Sequence, residues 1–324
     1  MNVIGIDVSK DKLDCAWLRE QDKLKTKVFS NQLTGWQELL DWSLKNTGLA
    51  TEALHFVMEA TGVYHEQLAT FLYDKGAKVS IANPAQVKFY AQGLGIRSKN
   101  DKKDSVVLAR FGLREQPTLW QPEAQEIRTL KALLARLDGI EKDLQREKNR
   151  QEKAMISLAP EAVMNSLNLM IDQLESEQKR LEKLIEEHIN KHNNLKDNKA
   201  LLESIPAVGK VIATRMLMVI ASRQFDDAHQ CAAYLGLVPV QHESGSSIKG
   251  RAKLSKAGNP IIRAKLYMAA VVAIRYNPDI KAQYERLTGK GKSKMSAIGA
   301  AMRKLVHICF GVLKHQIPYQ PQTT

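Results

Sequence analysis

The chain has 324 residues, 44% of them hydrophobic and 26% charged, which is ordinary for a soluble protein of about two or three domains with a substantial core. Its three cysteines, Cys15, Cys231 and Cys309, are odd in number and show no Cys-x-x-Cys spacing, so a disulfide scaffold and a structural zinc site are both disfavoured and a reducing compartment fits. The net charge of +13 is concentrated, with residues 1–120 at +2, residues 121–200 at −1 and residues 201–324 at +12; a local field of that sign suits nucleic-acid phosphates better than it suits general solubility.

The first hundred residues read as mixed α/β. Val3 to Val8 predicts a strand, Leu13 to Leu18 a second and Lys25 to Phe29 a third, followed by a helix carrying Trp36, Leu39, Leu40 and Trp42 on a 3-to-4 spacing. His55 to Met58 resumes the sheet, Tyr64 to Tyr73 is helical, and Lys78 to Ala82 is a strand ended by Asn83-Pro84. The order is β-β-β-α-β-α-β-α. From about 123 to 190, Ile127, Leu130, Leu134, Leu137 and Leu144 recur at heptad-like intervals. After Pro160, Leu167, Ile171, Leu174, Leu181, Ile185 and His188 restart the pattern around a missing knob at Gln178. Two long helices folded back as a hairpin are expected, with pairing to a second copy as their only functional reading.

Leu201 to Gln224 places Ile205-Pro206-Ala207-Val208-Gly209-Lys210 between two apolar helical patterns, which resembles a helix-hairpin-helix turn. Such a turn lets backbone amides and Lys210 meet a phosphate at a helix N-terminus. Ala207 stands where the motif usually has glycine, and an ordinary helix-helix turn explains the residues equally well. The end from Gln316 to Thr324 holds two prolines and is expected to be poorly ordered. The early Asp7 disfavours a signal peptide, and the longest uncharged apolar run, Met268 to Ile274, is too short to cross a bilayer. A cytoplasmic, non-membrane location is therefore expected.

Two acids end candidate strands: Asp7 after Val3-Ile4-Gly5-Ile6, and Glu59 after His55-Phe56-Val57-Met58. Asp101 and Asp104 fall one turn apart on a helix expected through Leu113. Singly, each has a plain structural explanation as a turn cap, a surface residue or a complement to a helix dipole. Jointly, the strand order favours four converging carboxylates, the hard oxygen set that Mg2+ or Mn2+ takes in phosphodiester chemistry. Farther on, His242-Glu243-Ser244-Gly245-Ser246-Ser247-Ile248-Lys249-Gly250-Arg251, then Lys253 and Ser255-Lys256, form a polar basic loop. A serine there could attack a phosphodiester, but chemistry alone favours a Gly/Ser turn that only binds phosphate.

Together these residues resemble one family, the DEDD-type insertion-sequence transposases related to the pilin-gene invertase and described as bridge-RNA-guided recombinases. The resemblance covers almost the whole chain. It rests on Ile4-Gly5-Ile6-Asp7-Val8-Ser9-Lys10, Met58-Glu59-Ala60-Thr61-Gly62-Val63-Tyr64, Asn83-Pro84, Lys99-Asn100-Asp101-Lys102-Lys103-Asp104, and Ser244-Gly245 through Ser255-Lys256-Ala257-Gly258-Asn259. It implies an α/β plus α architecture: a RuvC-like (RNase H fold) domain over 1–120, a helical coiled coil for dimerisation over 121–198, a mostly helical transposase domain over 199–316, and a tail over 317–324.

The resemblance also implies that Asp7, Glu59, Asp101 and Asp104 hold Mg2+ or Mn2+ and that Ser244 is the nucleophile. The partners it implies are target and donor DNA, a noncoding bridge RNA from the same element that supplies most of the sequence specificity, and further copies of the chain as a dimer or tetramer. Lys210, Lys249, Arg251, Lys253, Lys256 and Arg263 are the cations expected on nucleic-acid backbone. Ser105 departs from the alanine common after the last acid. The alternatives are a metal-dependent, structure-selective endonuclease of the Holliday-junction-resolvase type, which uses water and no serine, and a non-catalytic nucleic-acid-binding protein.

Overall fold

In Lys12–Leu18, Leu13, Cys15 and Trp17 alternate with Lys12, Asp14 and Ala16, and that two-residue period makes a strand with one apolar face and one face open to other chemistry. The computed structural model describes residues 2–18, 24–60, 62–96, 101–240, 243–244, 248–249 and 253–321, with the backbone alone at 101, 102, 243, 244, 248 and 249. The described chain forms two compact units, Met1–Pro122 and Glu123–Thr324.

The first unit is a five-stranded mixed sheet in the order β3-β2-β1-β4-β5, with β1 Asn2–Val8, β2 Lys12–Leu18, β3 Leu24–Ser30, β4 Leu54–Glu59 and β5 Lys78–Ala82. β1, β2 and β3 are antiparallel neighbours, whereas β4 lies parallel to β1 and β5 parallel to β4. Parallel pairs need crossovers, and the helices α1 (Leu33–Thr47) and α2 (Glu66–Asp74) precede β4 and β5 for that reason. Both bury their apolar stripes, Leu39, Leu40, Leu68 and Leu72, against Ile4, Ile6, Leu13, Trp17, Phe56 and Met58.

On the opposite face, α3 (Pro84–Gly93) and α4 (Asp101–Glu115) bury Val87, Val107, Leu108 and Phe111 on Val3 and Val57. The expected order of elements holds, with ends shifted by one or two residues. The mixed sheet is consistent with the RNase H-like domain anticipated from the motifs.

Among its described residues, the second unit is helical except for four two-residue strands and the turns between elements. Its long helices α5 (Gln125–Ile156) and α6 (Glu161–Lys191) part at Pro160, as the sequence indicates, and pack along one another. Then follow α7 (Asn193–Glu203), α8 (Lys210–Ala221), α9 (Ala228–Tyr234), β6 (Pro239–Val240), β7 (Glu243–Ser244), β8 (Ile248–Lys249), β9 (Lys253–Leu254), α10 (Pro260–Tyr276), α11 (Pro278–Gly289) and α12 (Lys294–His315). One core joins Ile127, Leu134, Leu181 and Ile189 of the long pair to Met216, Leu266, Leu305 and Cys309 of the later helices. The middle and C-terminal regions expected from sequence thus share a single apolar interior.

α12 is long and apolar enough to cross a membrane, but half of its most apolar stretch is buried inside this unit. The chain end differs from expectation. Tyr319 Oη donates to Asp279 Oδ2 at 2.7 Å, its amide donates to Ser204 Oγ at 2.8 Å, and its ring packs on the core, so the stretch through Tyr319 is strapped down. Residues 322–324 lie outside the described chain.

Candidate active site

Asp7 and Glu59 end neighbouring parallel strands. Gly5 is in register with Val57 and Ile6 with Met58, so the next step sets Asp7 beside Glu59. Because side chains alternate, Asp7 shares its face with Val3 and Gly5, and Glu59 with Val57, which is the α4 face. Two glycines fix the helix on that face. A Cβ on Gly112 would stand 2.7 Å from Val3 Cγ1 and 2.6 Å from Val57 Cγ2, while one on Gly5 would stand 2.1 Å from the Ser105 carbonyl oxygen and 2.3 Å from the Ala109 amide nitrogen.

Advancing from Val3 to Gly5 therefore retreats along α4 by a little over one turn. Another two strand residues, about 6.6 Å, match about four to five helical residues and bring Asp7 level with the first turn of α4, where Asp101 and Asp104 sit. Asp7, Glu59 and Asp104 are half-buried. The side chain of Asp101 lies outside the described atoms. The positive end of the α4 dipole favours anionic groups at this level.

β2 adds residues that the sequence reading passed over. Asp14 pairs directly with Asp7 in the antiparallel register, so both side chains lie on the α4 face, with Lys12 two residues away on the same face. Asp14 is buried and holds Lys12 Nζ at 3.0 Å. The signal was present in the strand's alternation, where a buried acid takes a turn in the non-apolar phase between Leu13 and Cys15.

The donor chemistry here fits a hard divalent ion: carboxylates from two strand ends and a helix N-terminus, with no thiol or imidazole among the candidates. Among the described residues, no three His, Cys, Asp or Glu side chains already form a group that could hold an ion. Asp7 and Glu59 stand side by side at neighbouring strand ends with Asp14 opposite Asp7, all on the face that α4 covers, and the side chain of Asp101 lies beyond the described atoms.

In the second unit the described residues of the serine segment pair as two short antiparallel ladders. Pro239 pairs with Leu254 and Val240 with Lys253; farther out, Glu243 pairs with Lys249 and Ser244 with Ile248. Ser244 is thus the outermost paired residue of its strand. Its side chain, that of Lys249, and Arg251 fall outside the described atoms. The base of the hairpin is anchored by close backbone contact, since a Cβ on Gly258 would stand 2.2 Å from the Tyr234 carbonyl oxygen.

Lys253 and Lys256 are exposed. Arg263, expected on nucleic acid, is half-buried and also serves the packing of this unit. Its Nη1 donates to the carbonyls of Gly258 at 2.6 Å and Leu235 at 3.5 Å and so ties the hairpin base to α10. Lys210 is exposed as the first residue of α8, behind Gly209. In the turn before it, Ala207 has φ +77°, the left-handed conformation that explains why the related motif carries glycine there.

A transposase family model of the DEDD IS110 type matches residues 4–160, and the model described as transposase IS116/IS110/IS902 family matches residues 199–285. The chain is 34% identical over 319 residues to the pilin gene-inverting protein of Moraxella bovis, covering 98% of this chain and 97% of that protein. It is 24% identical over 349 residues to the transposase for insertion sequence element IS1111A of Coxiella burnetii, covering 99% and 92%. With matches running through both units and over nearly the full length of its relatives, the chain belongs to the IS110 family of insertion-sequence transposases.

Proposed function

We propose that this transposase cuts and rejoins DNA strands through a phosphoserine link at Ser244, working with a divalent ion at the Asp7, Glu59, Asp101 and Asp104 edge and guided by a noncoding RNA encoded by its own element. The observation that carries the reading is the register that sets Asp7 beside Glu59, level with the first turn of α4. Relatives named for pilin gene inversion and for transposition support DNA as the substrate.

In the covalent step the Ser244 oxygen attacks phosphorus and loses its proton to solvent. The bond from phosphorus to one strand end breaks, and that oxygen takes a proton from solvent and leaves as a hydroxyl. Rejoining reverses the step, with a hydroxyl of the other strand attacking the phosphoserine. A Mg2+ or Mn2+ ion held by the four acids would stabilise charge on the phosphate. Lys210, Lys249, Arg251, Lys253, Lys256 and Arg263 hold nucleic-acid backbone. Copies of the chain pair through the long helices, whose tip exposes Ile156 and Leu158, the latter 90% exposed. The work takes place in the cytoplasm, on the nucleoid.

The test incubates the protein with RNA transcribed from the flanking noncoding region, Mg2+ and labelled target and donor DNA, and compares the parent with Ser244→Ala. An SDS-resistant protein-DNA adduct in the parent alone is the expected result. Equal cutting by both proteins without an adduct overturns the serine role and leaves a hydrolytic, structure-selective endonuclease.

A further inference from the structure

We propose that Lys12, held in place by Asp14, contacts the substrate at the strand-transfer site, its ammonium donating to a non-bridging oxygen of the DNA phosphate brought to the Asp7–Glu59 edge. This inference rests on the functional reading of that edge given above and adds two residues to it.

The placement follows from register. Asp7 faces Asp14 across the β1–β2 ladder, and Lys12 lies two residues before Asp14 on the same α4 face. The turn between the strands is closed tightly around Lys12. The Ser9 amide donates to the Lys12 carbonyl at 3.0 Å, the Ser9 hydroxyl donates to the same oxygen at 2.9 Å, and the Lys12 amide donates to Ser9 Oγ at 3.3 Å. The root of the side chain is therefore fixed next to the end of β1.

Its tip is fixed as well. Lys12 Nζ meets Asp14 Oδ2 at 3.0 Å, with the Asp14 side chain 12% exposed and that of Lys12 47% exposed. A flexible lysine is thus tied to a buried carboxylate while about half of its side chain stays exposed at the rim of the acidic edge.

That arrangement has a chemical use. A DNA phosphate entering an edge lined by carboxylates is repelled, and phosphoryl transfer adds negative charge to its non-bridging oxygens. An ammonium already oriented at the rim offsets both effects, and holding it there beforehand removes the cost of ordering a long side chain during the reaction. Asp14 acts through Lys12 and is a positioning residue. Placed beside an ion site, the ammonium also opposes the binding of a divalent cation, which gives the proposal a signature independent of turnover.

The experiment uses the full-length chain and two readouts: Mn2+ binding, followed by loss of the free-ion paramagnetic resonance signal, and single-turnover cutting of a supercoiled plasmid carrying the element and its flanks, with the flanking RNA present. Lys12→Gln is expected to bind Mn2+ as tightly as the parent or a few-fold tighter, yet to cut on the order of a hundredfold more slowly, while Lys12→Arg keeps most of the activity. Asp14→Asn loses less than Lys12→Gln, and the double variant is no slower than Lys12→Gln alone, because both changes act through one ammonium.

Parent-like cutting by Lys12→Gln overturns the proposal while leaving the metal edge standing. So does a double variant in which the two losses multiply. Asp7→Asn serves as the control on the edge itself: if it binds Mn2+ like the parent, the metal reading fails and this inference falls with it.

Discussion

Gly5 lies so close beneath Ser105 that a Cβ on the strand residue would stand 2.1 Å from the helix carbonyl oxygen, and both partners in that contact are backbone. Neither can swing aside as a long side chain would, so the depth at which α4 sits on β1 is set at this point. Gly5→Ala must lift the helix, at a cost beyond the roughly 1–3 kcal/mol usual for an added methyl group in a packed core. It also moves the first turn of α4 away from Asp7.

All four tryptophans, at 17, 36, 42 and 120, belong to the first unit. Tryptophan fluorescence in a urea titration therefore reads that unit alone, and far-UV circular dichroism is dominated by the helical second unit. The fluorescence midpoint is expected to fall sharply in Gly5→Ala, with the helical transition unmoved. An unchanged fluorescence midpoint would show that α4 does not rest on Gly5.

The first unit was legible because each strand announces itself locally. Leu13, Cys15 and Trp17 alternate, Lys78 to Ala82 ends at Asn83-Pro84, and the acids fall just where the apolar runs stop. Register is a different matter. That Asp14 opposes Asp7 depends on the length of the turn at Ser9–Lys12 and on which residues pair, and a one-residue slip would send Asp14 to the apolar face. In the second unit the heptad pattern gave the helices and the break at Pro160. It could not show that they share an interior with α8, α10 and α12, because the spacing of apolar residues does not name their partners. The packing contacts of Arg263 were hidden for a related reason: a cation next to a basic loop looks wholly solvent-facing in sequence, and the fold adds its bonds to the carbonyls of Leu235 and Gly258.

Arg215 and Asp138 form a buried ion pair in the second unit, joining α8 to α5. Their side chains are 3% and 14% exposed. Arg215 Nη1 donates to Asp138 Oδ2 at 2.9 Å while Nη2 reaches Oδ1, a two-pronged contact. Removing the acid alone leaves a guanidinium stranded in the core, so Asp138→Ala is expected to cost about 3–5 kcal/mol. Replacing both partners with apolar residues, Asp138→Leu with Arg215→Met, leaves no uncompensated charge and should recover most of that loss. Circular dichroism in urea checks both statements, and a double variant as unstable as the single one would contradict the account.

His55 gives the first unit a pH dependence. Its Nε2 lies 2.8 Å from Ser80 Oγ, and Ser80 spends its own proton on the Pro117 carbonyl at 3.0 Å, so the imidazole is the donor to serine. Burial, and after it the charge of Lys78, hold its pKa below the ordinary value of 6.5. The folded state therefore favours the neutral ring, and between the lowered pKa and 6.5 the unfolded chain binds more protons. Stability contributed by this group is full above about pH 6.5 and is lost as pH falls toward the folded pKa. The fluorescence-monitored urea midpoint should drop over that window in the parent and drop less in His55→Gln. Equal slopes in the two proteins would remove His55 from the explanation.

Ala207 carries φ +77° in the turn between α7 and α8, where an L side chain is strained and glycine is not. The strain at such a residue is of order 1–2 kcal/mol, and glycine returns part of the gain through the greater freedom of the unfolded chain. Ala207→Gly is therefore expected to stabilise the second unit by about 0.5–1 kcal/mol, a rise of roughly 2 °C in the midpoint of a unit of this size. The turn lies immediately before Lys210, so the same change lets backbone amides approach an anion more closely at the start of α8. If the turn holds phosphate, binding of duplex DNA at low salt should tighten in Ala207→Gly and weaken in Lys210→Gln, with the salt slope reduced only in the latter. Stabilisation without any change in DNA binding would mark the turn as an ordinary connection between helices, with its glycine-like backbone serving the packing of α7 on α8 alone.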